Sequence, residues 1–216
     1  MIDNPLPSDP ADPGNSGLPD TPLVERALVM ATRAHAGRVR KGGSEPEITH
    51  PVAVARIVAH HGYGDVAIAA ALLHDVVEDT DLEPEDLRAE FPEGVCRIVA
   101  DLTEDRIEGP RSETWERRKA SKLARLESAG ESSLAVCAAD RIHNMESVIA
   151  MLAERGADAL APFSRPPAEM LAYERRIAGR VRQGLAHPIV DRLERTLEDF
   201  RRALLEKGGP EIEPRD

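Results

Sequence analysis

The residues best suited to chemistry lie in Leu72-Leu73-His74-Asp75-Val76-Val77-Glu78-Asp79-Thr80, at the end of the apolar run from Val66 to Leu73. An imidazole beside a carboxylate, with two more carboxylates a helical turn later, is a costly group in so apolar a setting. Buried charge is tolerated when it is paired or binds a metal. Two other places put ligand-type residues on apolar or structured segments. His50 stands at a predicted helix start, and Asp140 follows Leu134-Ala135-Val136-Cys137-Ala138-Ala139. Together with His74 and Asp75 they make two imidazoles and two carboxylates. That set suits a divalent ion of intermediate hardness: Mn²⁺, Fe²⁺, Zn²⁺ or Co²⁺. It also leaves octahedral positions open for water and substrate. Glu78 follows His74 by four residues, and Asp79 follows Asp75 by four. On one continuous helix such pairs share a face. A group that orients or deprotonates an attacking water belongs there. Asn144 follows Asp140 by four, which brings an amide to the same place.

A scaffold must bring these segments together, and the composition indicates which kind. The 216 residues are 41% hydrophobic, 31% charged and only 3% aromatic. A core of Ala, Leu, Val and Ile favours close-packed helices over a sandwich of strands. No stretch alternates at period two for long enough to be a core strand. The formal net charge of -11 argues against general nucleic-acid or membrane binding. A small polyanion needs only a local basic mouth and is not excluded. Cys96 and Cys137 have no CxxC spacing, so a reduced compartment is the natural one. No segment reaches the roughly 18 apolar residues of a membrane span, and the first residues lack the form of a signal peptide. A cytoplasmic protein is expected.

Residues 1–20 read as a disordered tail rich in Pro, Asp, Gly and Ser. Thr21 and Pro22 open a helix to about Ala36, with Gly37 closing it. A loop with Arg38, Arg40 and Lys41 follows. The next helix starts at His50-Pro51 and ends at Gly62 or Gly64. Asp65 caps a helix over 66–79. Further helices are predicted over 84–90, 94–102, 112–128, 131–155, 167–186 and 188–205, with a charged, flexible tail over 206–216. The economical reading is one all-α domain over 21–205.

Four motifs in this order resemble the HD phosphohydrolases, and within them the hydrolase domain of the RelA/SpoT alarmone enzymes. They are Ala34-His35-Ala36-Gly37 with Arg40-Lys41-Gly42, then Ile48-Thr49-His50-Pro51, then Leu72 to Thr80, then Ala139-Asp140-Arg141-Ile142-His143-Asn144-Met145. The resemblance spans about residues 24–150. It implies a single HD-domain helical bundle in which His50, His74, Asp75 and Asp140 bind Mn²⁺ and Glu78 and Asp79 activate or position the water. It implies that Arg40, Lys41 and Asn144 contact the phosphates or nucleoside of the substrate. Ser147 stands where the family often has Thr, and Arg141 can join the basic rim. The implied reaction removes pyrophosphate from the 3′ position of guanosine tetra- or pentaphosphate. The long alarmone enzymes carry further domains for which this chain is too short, so it looks like a stand-alone small alarmone hydrolase, monomer or homodimer. It departs from the family at Arg38, where Gln is common, and at Glu47, where Tyr is common. Glu47 adds a negative charge near the pocket mouth.

Rival readings attach to the same residues. His74-Asp75 can be an inert buried ion pair, and the chain can act on another nucleotide, such as NADPH or a nucleoside phosphate. It can also be a metal-bound sensing module without turnover, although such a module has no use for Glu78 and Asp79. His35 either braces the Arg40-Lys41 loop or touches substrate. His60, His61 and His187 read as surface histidines, and His143 as packing or support. Trp115 is a packing anchor or part of a lid. The run Arg117, Arg118, Lys119, Lys122 is a solvated helix face or a second basic wall. Asp75→Ala is expected to lose bound metal and turnover together. Glu78→Gln is expected to lose turnover and keep its metal, as read by elemental analysis beside an activity assay.

Overall fold

The computed structural model describes residues 17–110 and 112–207. Of the predicted tails over 1–20 and 206–216, residues 1–16 and 208–216 lie outside them. The described chain is helical: α1 Pro22–Ala34, α2 Thr49–His60, α3 Asp65–Leu73, α4 Val76–Asp79, α5 Pro84–Glu90, α6 Glu93–Leu102, α7 Trp115–Arg125, α8 Glu131–Arg155, a 3-10 turn Gly156–Leu160, α9 Pro167–Gly184 and α10 Pro188–Lys207. No β-sheet occurs among the described residues. A lone bridge between Val39 and Pro46 closes the loop after α1. Gly42 turns that loop at φ +80°, a conformation that favours glycine.

Two helices form the centre. Every residue of α3 from Ala67 to Leu73 is buried, as a helix apolar all round must be. It packs on α1, α2, α6 and α8, and its alanines allow close approach. α8 carries a buried run from Ser133 to Asp140 and packs on α2, α3, α6, α9 and α10. It ends at Gly156, whose φ of +60° stops the helix. None of the described helices is long and apolar enough to cross a membrane.

The predicted helix over 66–79 is not continuous. It stops at Leu73, His74 and Asp75 form a turn, and α4 begins at Val76. The His74 ring donates from Nδ1 to the Ala71 carbonyl at 2.7 Å, taking an acceptor that a continuing helix would use. The four-residue spacing from His74 to Glu78 therefore spans a break, although Asp79 N–H still donates to the Asp75 carbonyl at 2.9 Å. The break instead turns His74 and Asp75 inward while α4 carries Glu78 and Asp79. Asp65 is the first residue of α3 rather than its cap, which is Gly64. The predicted helix over 112–128 is shorter, Trp115–Arg125, and α10 runs two residues past the predicted 205.

Leu152 is fully buried on α8 beyond the candidate site. Leu152→Ala is expected to lower folding stability by about 2–5 kcal/mol without weakening metal binding. Urea unfolding with and without Mn²⁺ checks both parts.

Candidate metal centre

His50 enters from the first turn of α2, His74 and Asp75 from the break after α3, and Asp140 from the middle of α8. Donor atoms of His50, His74 and Asp140 lie within 4.8 Å of one another, and all three residues are buried. His50 Nε2 is 3.3 Å from both Asp140 Oδ1 and Asp75 Oδ2. His74 Nε2 is 2.8 Å from Asp75 Oδ1 and 3.7 Å from Asp140 Oδ1. Donors at right angles, each about 2.1 Å from one ion, stand about 3 Å apart. The cluster has that spacing.

The tautomers point the same way. His74 Nδ1–H is committed to the Ala71 carbonyl, so Nε2 faces the carboxylates. This nitrogen is buried 2.8 Å from Asp75 Oδ1 without forming a regular hydrogen bond. This nitrogen and the two carboxylates converge on one place that a cation must occupy, a proton or a metal ion. Two imidazole nitrogens and two carboxylates are a donor set for an intermediate divalent ion, so these residues fit one. His50 Nδ1 meets His143 Nδ1 at 2.8 Å. With His50 Nε2 turned to the carboxylates, its Nδ1–H donates and His143 accepts. Burial first, then the neighbouring His50, push His143 down to about 4, which keeps it a neutral acceptor. Such outer partners orient metal-binding histidines.

Burial opposes every charge here, and partners outweigh it. Asp75 and Asp140 push His74 up to about 10. His74 and His50 hold the Asp75 carboxyl well below its usual range. Arg141 does the same for Asp140, with the two histidines assisting. Arg141 donates to Asp140 Oδ2 from Nη2 at 2.5 Å and from Nε at 3.1 Å, and it reaches Glu174 at 3.3 Å. The Asn144 amide donates to Asp140 Oδ1. Arg141 and Asn144 thus brace a cluster residue as well as lining the cavity.

The cluster lies at one side of a cavity of about 1360 Å³. Arg40, Lys41, Arg141, Asn144, Ser147 and Asp79 all line it. Its walls hold eight Arg and Lys side chains against five Asp and Glu, an excess of positive charge in an acidic protein. Lys41 stands over the Phe163 ring at 5.2 Å, and Ser147 donates to the His143 carbonyl at 2.7 Å. Glu78 accepts the Glu104 backbone N–H at 2.6 Å, with Lys122 Nζ at 4.0 Å.

Glu104 was not singled out in the sequence pattern, and Lys122 only as one member of the basic run over 117–122. Glu104 is a buried carboxylate gripping Arg118 and Lys119. Burial would raise it, but these cations and Lys122 hold it low. The basic run of α7 therefore turns mostly inward: Arg118 and Lys122 are buried, Arg118 and Lys119 line the cavity, and Arg117 faces water. Opposite charge in two neighbouring segments, Glu104-Asp105 and Arg117 to Lys122, was the available clue. Trp115 is half-buried at the cavity wall, edge-on to Tyr173, with Arg165 stacked over it at 4.8 Å. His35 is buried with neither ring nitrogen hydrogen-bonded, so its ring does not brace the loop by hydrogen bonds. His60, His61 and His187 stand apart from the cluster, in a group of their own at the end of α2.

Residues 27–163 match the model of the HD domain family. Over 126 residues the chain is 37% identical to a GTP pyrophosphokinase of Streptomyces coelicolor, covering 58% of this chain and 14% of that protein. Over 81 residues it is 46% identical to the guanosine-3′,5′-bis(diphosphate) 3′-pyrophosphohydrolase of Vibrio cholerae, covering 38% of this chain and 11% of that protein. The chain thus spans under a fifth of the length of these curated relatives. Among solved structures, lmo0812 from Listeria monocytogenes is 31% identical, with a TM-score of 0.62 over 69% of this chain and 96% of that one. A metazoan ortholog of SpoT that hydrolyzes ppGpp gives a TM-score of 0.67 at 22% identity over 86% of this chain and 97% of that one, a likeness of fold.

His143→Leu is expected to weaken Mn²⁺ binding by about 10–100-fold, read by the loss of the free-ion spectroscopic signal on titration. An ion entering the cluster displaces the proton that the carboxylates hold on His74. Affinity should therefore rise with pH up to about 10 and fall as acid restores that proton.

Proposed function

Since the chain belongs to the HD domain family, we propose that it is a metal-dependent phosphohydrolase that removes the 3′-pyrophosphate of (p)ppGpp. The products are GDP or GTP and pyrophosphate. The reaction class is carried by one observation: a buried His50, His74, Asp140 cluster with Asp75 against both histidines, one turn before Glu78 and Asp79 and next to a basic cavity. The substrate rests on the motifs and on relatives named as 3′-pyrophosphohydrolases of guanosine-3′,5′-bis(diphosphate).

His50, His74, Asp75 and Asp140 hold Mn²⁺, with Fe²⁺, Co²⁺ or Zn²⁺ as substitutes. A divalent ion bound here would neutralise charge on the attacked phosphate and lower the pKa of bound water toward about 7. The chain's own residues do the rest. Arg40, Lys41, Arg141, Asn144 and Ser147 bind and orient the nucleotide at the cavity wall. Glu78, held by the Glu104 N–H and facing Lys122, and Asp79 take the proton of the attacking water. The water oxygen forms a bond to the phosphorus on the 3′ oxygen, and the bond from that phosphorus to the 3′ oxygen breaks. The 3′ oxygen leaves as a hydroxyl once it gains a proton. This activity belongs to one domain over residues 21–205, in the cytoplasm, as a monomer or homodimer, with neither nucleic acid nor membrane as a partner.

The test is incubation with Mn²⁺ and a panel comprising ppGpp, pppGpp, NADPH and nucleoside phosphates. Pyrophosphate and GDP or GTP should be released from the two alarmones, and chelator should abolish release. Orthophosphate from NADPH would instead make the chain a hydrolase of another nucleotide, and no turnover of any would leave a metal-bound sensing module.

A further inference from the structure

We propose that Glu47 is a positioning residue for the nucleotide, acting through Arg40, rather than a charge that repels it. Arg40 donates from Nη1 to Glu47 Oε1 at 2.9 Å and from Nη2 to Asn144 Oδ1 at 3.1 Å. One anchor comes from the loop ahead of α2 and the other from α8. Both prongs of the guanidinium are tied, so its plane and reach are set before any ligand arrives. The Arg40 and Glu47 side chains are only 19% and 16% exposed, which limits competition from water.

The backbone leaves this pair little slack. Arg40 N–H donates to the Glu45 carbonyl at 2.8 Å, and Glu47 N–H donates to the Arg38 carbonyl at 3.0 Å. The two ends of the loop are thus held across from each other, with Arg40 on one and Glu47 on the other. A free arginine at a cavity wall must be ordered by the ligand, and that ordering weakens binding. An arginine already fixed does not incur it. Glu47 therefore strengthens binding of a polyanion despite its own negative charge. The opposite view, a bare carboxylate at the mouth that repels phosphate, predicts an effect of opposite sign.

The kinetic test rests on the function proposed above and uses the full chain with Mn²⁺ and ppGpp. Glu47→Ala should raise KM by about tenfold, with the loss falling on KM rather than kcat. Glu47→Gln keeps an oxygen for Arg40 Nη1 and should recover most of that loss. A KM that falls or stays level in Glu47→Ala overturns the proposal. So does a parallel loss of kcat, or a Gln variant as impaired as the Ala one. A second measurement needs no turnover: the order of the Arg40 Nε–H by NMR relaxation in ligand-free protein. It should be rigid in the native chain and in Glu47→Gln, and mobile in Glu47→Ala. Equal rigidity in all three sinks the role of Glu47, whereas a native chain that releases no pyrophosphate sinks only the functional reading.

Discussion

A buried carboxylate, Asp140, and a half-buried one, Asp75, impose the constraint on which the rest of this structure depends. Asp140 is nearly inaccessible, and its neighbours Ala135, Val136, Ala138 and Ala139 are fully buried. Neither it nor Asp75 can hold its charge alone in such surroundings. Their compensation comes from His50 and His74 and from Arg141. These partners are spread over α2, the break after α3, and α8, so those segments must converge for any of them to be tolerated. The centre of the fold and the centre of the chemistry are therefore one object. Breaking a buried pair by removing one partner costs about 3–5 kcal/mol in general, so substitutions here act on stability and chemistry together.

A second layer supports the first. His143 fixes the ring of His50, Asn144 and Arg141 fix Asp140, and the Ala71 carbonyl fixes His74. Glu78 is held from the other side by the segment after α6 and by α7. α8 thus sets the orientation of both His50 and Asp140, α3 that of His74, and the segments around α6 and α7 that of Glu78. Rigid helices, rather than the loops between them, hold the geometry. Loops contribute charge: Arg38, Arg40 and Lys41 precede α2, and Arg165 precedes α9.

His50, His74, Asp75 and Asp140 were legible in the sequence because each is an anomaly against its local background, visible without knowledge of the partners. The helix order was legible for a related reason: apolar periodicity is local, and Pro and Gly mark its ends. The break at His74 was not legible. The apolar pattern runs on through Val76 and Val77, both buried, and only a side-chain bond to the Ala71 carbonyl interrupts the helix. Glu104 stayed hidden, and Lys122 showed only as part of a basic run, because their roles exist only between segments. His143 sits three residues from Asp140, off its face, yet a ring on another helix meets it there. Glu47 was legible as a charge, but not as one already matched by Arg40.

The distribution of charge has a consequence for what can reach the cavity. The chain carries a net charge of -11, while the cavity wall is basic in excess. A polyanion is therefore repelled by the net charge and drawn toward the cavity. A compact anion can follow that field into the cavity. An extended one, such as a nucleic-acid backbone, must also lie across the acidic exterior and meets repulsion along its length. The same contrast thus acts as a filter on the size and shape of anions, set by the whole protein rather than by any one residue.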